Sequence, residues 1–216
     1  INNVNNNAIH VYQSDNNTII NNTCRNATRY SIYITRSGNN TIINNTCRDE
    51  LQRTTTRGIY LERGVGHTVS NNSVDSAGQG IRLTGVTTSN IFENTFSNND
   101  YGMYLTSSSS SSLINTLNVF YLNTISGSKT KDLNLTGTNN TGNIWNSPAQ
   151  IPYWYNGTQF TDYMGNYWGR YAGPDADGNG IGDDPFTTAS MDADNYPLMG
   201  AWKNGEITYT PPTVIA

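Results

Sequence analysis

Residues 16 to 25 read NNTIINNTCR, and residues 39 to 48 repeat them letter for letter, a period of 23 residues. A second phrase precedes each copy: AIHVYQS at 8 to 14, then SIYITRS at 31 to 37. It returns as GIYLERG at 58 to 64, GIRLTGV at 80 to 86 and GMYLTSS at 102 to 108, with a weaker DLNLTGT from Asp132. Successive spacings are 23, 27, 22, 22 and about 30. Extra residues around Asp49 to Thr56 account for the 27, and an excursion through Val119 to Lys131 for the last.

Ile-x-Leu alternates at period 2, so the apolar residues face one way and the intervening ones the other. About 22 residues with two such short strands are too few for a strand–helix–strand unit, and the leucine-rich consensus is missing. What remains is a solenoid in which each repeat makes one coil, about six coils in all, stacked about 4.8 Å apart. One coil cannot bury its apolar face alone, so stacking supplies the core. The first strand contributes rungs Ile9/Val11, Ile32/Ile34, Ile59/Leu61, Ile81/Leu83, Met103/Leu105 and Leu133/Leu135. The second contributes Ile19, Ile42, Val69, Ile91 and Leu113. Ile32 is expected beside Ile59 despite the longer spacing. Asn22, Asn45, Asn72 and Asn94 share a phase and read as a buried amide ladder or as exposed turn residues. Cys24 and Cys47 stack one period apart, as a disulfide or as two buried thiols.

An extracellular or cell-surface setting is the expectation for this chain, and its composition bounds the partners. Charged residues are only 13% of the chain, and Asn, Thr, Ser and Gly supply the polarity. The net charge of -4 argues against nucleic acid, which calls for clustered Lys and Arg. No apolar run has the length of a membrane span. Sequons are dense; Asn26, Asn134, Asn139 and Asn156 fall in expected loops and are candidates for glycan. The first residues read as mid-repeat, so an uncapped coil is expected to favour self-association into a filament or layer. The strand-like Glu206 to Thr210 is a further candidate for reaching a neighbour.

The phrase GIYL…NNTIINNT resembles the right-handed parallel β-helix repeats of the pectate-lyase-like superfamily, in its NosD-type and disaggregatase-like branch, abundant in surface proteins of methanogenic archaea. GNYWGRYAGPDADGNGIGDDPF at 165 to 186, followed by DNYPLM at 194 to 199, is similar to the segment that ends many of those repeats. The resemblance implies an all-β, right-handed parallel β-helix. It marks an architecture and not one activity: the group holds copper-site maturation proteins, polysaccharide-active enzymes and surface proteins. Copper handling is not expected of this chain. Copper calls for clusters of His, Met or Cys, and His10, His67 and the few Met residues share no phase.

Three segments follow: repeats over 1–143, an aromatic cap over 144–202 and a linker or tail over 203–216. The cap's rings read as a lid over the open end of the solenoid or as a sugar-stacking platform. Its loop DADGNGIGD places Asp175, Asp177 and Asn179 at alternate positions, then the carbonyl of Ile181 and the side chain of Asp183. This alternation suits structural Ca2+, with Asp194 as the ligand from elsewhere and Asp184 or Asp192 as alternatives. No helices flank it, so it is not an EF-hand.

Outward positions of the first strand form two columns. One runs His10, Tyr33, Tyr60, Arg82, Tyr104 and Asn134; the other runs Tyr12, Thr35, Glu62, Thr84, Thr106 and Thr136. Tyr33, Tyr60, Arg82 and Tyr104 are candidates for carbohydrate contact. Glu62 and Arg82 are the weak candidates for catalysis, with a surface ion pair as the plain reading. Glycoside hydrolysis calls for two carboxylates, and Glu62 is the sole acid in either column. The expected function is a non-enzymatic surface β-helix of an envelope, sheath or filament layer, with polysaccharide contact. The alternative is a polysaccharide lyase or hydrolase.

Overall fold

The computed structural model describes residues 1–49, 51, 54–108, 113–188 and 192–208. Each full repeat contributes three strands, one more than the periodicity suggested. The first is β1 (Ile9–Tyr12), β2 (Thr18–Ile20) and β3 (Thr23–Arg25). The second is β4 (Tyr30–Thr35), β5 (Thr41–Ile43) and β6 (Thr46–Arg48). Then come β7 (Arg57–Val65), β8 (Thr68–Ser70) and β9 (Ser73–Asp75), followed by β10 (Gln79–Thr87), β11 (Asn90–Phe92) and β12 (Thr95–Ser97). β13 (Tyr101–Thr106), β14 (Val119–Tyr121) and β15 (Thr124–Ser126) precede β16 (Lys131–Thr136). The cap adds β17 (Ile151–Tyr155), β18 (Thr158–Asp162), β19 (Tyr167–Trp168), β20 (Ala201–Lys203) and β21 (Glu206–Thr208).

Strands of successive repeats pair in parallel. The first sheet runs β1-β4-β7-β10-β13-β16, the second β14-β11-β8-β5-β2 and the third β19-β15-β12-β9-β6-β3. This is a parallel β-helix. Ile32 pairs with Ile59 as expected, and the extra residues before β7 leave Leu51 exposed. Glu50, Gln52 and Arg53 of that segment lie outside the described residues. The rungs of the first strand fill the interior, with Ile32, Ile34, Ile59, Leu61, Ile81, Leu83, Met103 and Leu105 wholly buried. In the second sheet, Phe120 and not Leu113 stands beside Ile91. The late excursion therefore lies between β13 and β14, not over Val119 to Lys131. A serine run at 107–112 breaks the phase, and Leu113 directly follows it. The third sheet carries its own column, Cys24, Cys47, Val74, Phe96, Ile125 and Trp168, of which the repeat marks only the two cysteines.

The paired asparagines divide the work at the corners. The first of each pair takes a left-handed backbone: φ is 60° at Asn16, 56° at Asn21, 52° at Asn39, 55° at Asn44 and 54° at Asn71. Asn adopts this region more cheaply than most residues. The second of each pair turns inward. Backbone N–H and Nδ2 of Asn22 both donate to Oδ1 of Asn45, at 2.9 and 3.0 Å. Asn45 donates likewise to Asn72, Asn72 to Asn94, Asn94 to Asn123 and Asn123 to Asn166. These amides are the buried ladder, not exposed turns, with Asn45, Asn72, Asn94, Asn123 and Asn166 at most 1% exposed.

A second ladder occupies the corner between the first and second sheets. Asn17 donates to Asn40, whose N–H donates to Nδ1 of His67. His67 N–H donates to the Ser89 hydroxyl, Ser89 N–H to Asn118, and Asn118 to Asn143. Both ladders end on a carboxylate. Oδ2 of Asp194 accepts from Asn166 N–H, Asn166 Nδ2 and Trp168 Nε1, at 2.9, 3.2 and 2.9 Å, and Oδ1 accepts from Tyr196 N–H. Oδ2 of Asp192 accepts from Asn143 N–H at 2.9 Å. A carboxylate only accepts, so it ends a column of donors without creating a new unpaired one. Burial pushes Asp194 up to about 6, against the pull of the donors around it.

The cap closes the core with rings, as a lid would. Trp145 stacks on Phe120 at 4.4 Å, and Trp168 stacks on Phe186 at 4.3 Å. Both tryptophans are at most 1% exposed, which removes them from any sugar platform. A second small core gathers Tyr153, Tyr155, Met164, Leu198 and Ile207 under the sheet β18-β17-β21-β20. The Glu206–Thr208 strand pairs within its own chain, with β20 and β17. Tyr209 and Thr210 lie outside the described residues.

Candidate functional site

The first sheet aligns both outward columns in register. His10, Tyr33, Tyr60, Arg82, Tyr104 and Asn134 are neighbours on successive strands, as are Tyr12, Thr35, Glu62, Thr84, Thr106 and Thr136. His10 stacks on Tyr33 at 4.7 Å, and Tyr33 on Tyr60 at 5.0 Å, with planes within 14°. The Arg82 guanidinium lies over Tyr60 at 5.3 Å and over Tyr104 at 5.2 Å. Tyr30 meets Tyr33 and Tyr60 edge-on, and Arg57 lies over Tyr30 and Tyr60 at 5.0 and 5.6 Å. The faces of Tyr33 and Tyr60 are thus occupied by neighbouring rings and guanidinium groups. The face offers ring edges, hydroxyls and N–H groups to a partner. Each cation–π contact contributes about 0.5–1 kcal/mol at such partly exposed positions.

Glu62 and Arg82 do not pair. Glu62 accepts from the Tyr33 hydroxyl and, at 3.4 Å, from Thr35. Arg82 donates to the Thr84 hydroxyl. Desolvation and the hydrogen bond to Glu62 push the Tyr33 phenol up to about 12. The two weak catalytic candidates are spoken for by separate partners.

The expectation of a calcium loop is overturned. Among the described residues no three His, Cys, Asp or Glu side chains are grouped to hold a metal. The loop's acceptors are met by N–H groups instead of a cation. Asp175 accepts from Asn179 N–H and Gly180 N–H, and Asp177 accepts from Asn179 N–H and Nδ2. Asn179 accepts from Ile181 N–H, and Asp183 from Ala176 N–H. Asp194, the intended distant ligand, faces Asn166 and Trp168 inside the core. Alternating acidic residues with glycines satisfy a chain of tight turns as well as they satisfy an ion, and the sequence pattern alone does not separate the two.

Cys24 and Cys47 are neighbours in register, both buried and unbonded in this structure. Among the sequons, Asn156 is exposed at the turn between β17 and β18, whereas Asn134 stands on β16 and not in a loop. Asn26 and Asn139 are half-buried at turns.

A family model described as periplasmic copper-binding protein (NosD) matches residues 1–173. The chain belongs to the NosD family. No curated protein matches it. The family match covers the whole first sheet and the ladder residues up to Asn166, and stops before Asp192 and Asp194. The family's description names copper, and the described residues of this NosD-family chain do not assemble a copper centre. The two cysteines are sealed in the core, His67 already spends Nδ1 on Asn40, and His10 is stacked on Tyr33. No helix among the described residues is long and apolar enough to cross a membrane.

Proposed function

We propose that this chain is a non-catalytic surface scaffold of an envelope, sheath or filament layer, which contacts polysaccharide through the outer face of its first sheet. The continuous stack of His10, Tyr33, Tyr60, Arg82 and Tyr104 carries the reading. It presents a row of hydroxyl and N–H edges across five strands, the chemistry that hydroxyl-rich chains accept. Support for a non-catalytic role comes from Glu62. Hydrolysis calls for a second carboxylate about 5–9.5 Å away; here Glu62 stands alone in its column and holds the Tyr33 and Thr35 hydroxyls.

The test is a panel of soluble polysaccharides in affinity electrophoresis, with each mixture assayed afterwards for new reducing ends and unsaturated products. Retardation without product is expected. Product formation that Glu62→Gln abolishes would replace this reading with an enzymatic one.

A further inference from the structure

We infer that the glycan this face takes is polyanionic, carrying carboxylate or sulfate groups along its length. The inference rests on the polysaccharide reading above and specifies its ligand. Five arginines, Arg29, Arg36, Arg57, Arg63 and Arg82, belong to the first sheet and its corner, out of 12 Lys and Arg in the chain. Among the described residues the acids beside them are Glu62, Asp15 and Asp49, the last held by the Thr56 hydroxyl next to Arg57, giving five minus three, or +2, on a chain whose net charge is -4.

None of the five is ion-paired among the described residues. Arg29 bonds the Tyr30 hydroxyl, Arg57 bonds Gln79 and the Thr55 carbonyl, Arg82 bonds Thr84, and Arg36 bonds the Tyr12 hydroxyl. All of these acceptors are neutral. Glu62 is held by Tyr33 and Thr35, and Asp15 by Gly38 N–H at 2.5 Å. Arg57 is partly desolvated and repelled by Arg82 and Arg29, both of which lower its pKa. Cations placed together without a counter-charge are an unmet electrostatic demand that a bound anion relieves.

The far end of the strands repeats the theme. Arg36 and Arg63 follow Thr35 and Glu62 on neighbouring repeats, with φ of 52° and 53°. Asn fills many other left-handed corners of this chain, so arginine here carries an avoidable strain of about 1–2 kcal/mol per residue. Both side chains line one open groove of about 500 Å³, together with Asp15, Gly38, Gly64 and Gly85. Six residues of extended strand separate Arg57 from Arg63, about 20 Å. The face thus has cationic ends and a hydroxyl-lined middle, suited to an extended polymer with repeated charge. Nucleic acid is the poorer fit, because single strands bind by stacking bases on open ring faces, and the faces of the central Tyr33 and Tyr60 are closed.

The full chain is titrated with a polyuronate, a sulfated galactan, neutral dextran and single-stranded DNA of similar length. At least one charged glycan should bind tenfold or more tighter than dextran, with affinity falling as salt rises; which one binds identifies the anionic group. Arg57→Gln with Arg82→Gln should weaken it tenfold or more. Arg36→Asn with Arg63→Asn should weaken it too. Because asparagine suits those corners, a loss there cannot be blamed on unfolding. Arg25→Gln with Arg48→Gln on the third sheet should leave binding unchanged. Equal binding of dextran would overturn the inference and leave the polysaccharide reading intact, and binding of no glycan would sink both. DNA bound as tightly as the charged glycans would reduce the face to a nonspecific cation patch and overturn the inference.

Discussion

The imidazole of His67 occupies the space that a β-carbon on Gly64 would need, with Nε2 of the ring against the Gly64 backbone. The ring stands in the second ladder where other repeats place Asn or Ser, and it is larger than either. Gly64 is the accommodation. Gly64→Ala should therefore cost about 1–3 kcal/mol. His67→Asn should recover part of that cost, because the Ser37 carbonyl, 2.9 Å from the same position, remains. A double-mutant cycle by urea denaturation measures the coupling; additive single effects would show that the fit does not matter.

His67 also gives the fold a pH dependence. Nδ1 accepts from Asn40 N–H, so the neutral ring carries its proton on Nε2. Burial lowers its pKa in the folded state. A base with a lowered folded pKa contributes stability above its unfolded value, about 6.5, and that stability is lost as pH falls through the folded one. Asp194 has the opposite slope. Its raised value near 6 means stability present below about 4 and lost as pH rises through 6. His67→Asn removes the first component and leaves the second. Its melting temperature should rise less between pH 5 and 7 than the parent's; identical profiles would exclude His67 as the source.

Leu117 sits with φ of 57° and 58% exposure at the left-handed corner just before ladder residue Asn118. Asparagine occupies that corner in the first two repeats. Leu117→Asn should stabilise the chain by about 0.5–1 kcal/mol, read as a higher urea midpoint with an unchanged slope.

Cys24 and Cys47 continue a column whose next rung is Val74. Cys47→Val should cost less than about 1.5 kcal/mol, as volume-conserving core changes do. In the parent, both thiols should resist a thiol reagent until denaturant is added. Prompt labelling in buffer would contradict their burial.

Much of the fold was legible because its repeat is nearly literal. The Ile32–Ile59 register survives an insertion, since the rungs on either side hold it. Legibility failed where the phase marker changed chemistry. Phe120 was passed over for Leu113 because a serine run displaced it by seven residues. The second ladder is hidden in the sequence because His67 and Ser89 stand in for Asn, although each member from Asn17 to Asn118 precedes a strand by one residue. Asn166 and Trp168 were read as cap residues, yet N-Y-W at 166–168 matches N-T-I at 123–125 and N-T-F at 94–96. The calcium expectation failed for a different reason. A run of alternating Asp, Asn and Gly states which acceptors are present, and not whether an ion or the chain's own N–H groups will meet them. The columns of the candidate face were correct in register, but the guanidinium–ring stacking is a three-dimensional fact that alternation alone does not carry.

The asparagine columns have a direction. Every rung donates toward the following repeat, so the amide dipoles align head to tail, and the donor end of each column meets an anionic residue. That end is the only place where the pattern must change. A duplicated or deleted unit in the middle leaves both terminators, Asp192 and Asp194, with the same partners. Length is thereby decoupled from stability at the ends, and the solenoid can gain or lose coils by unequal exchange between near-identical segments such as NNTIINNTCR, without any new closing device having to arise.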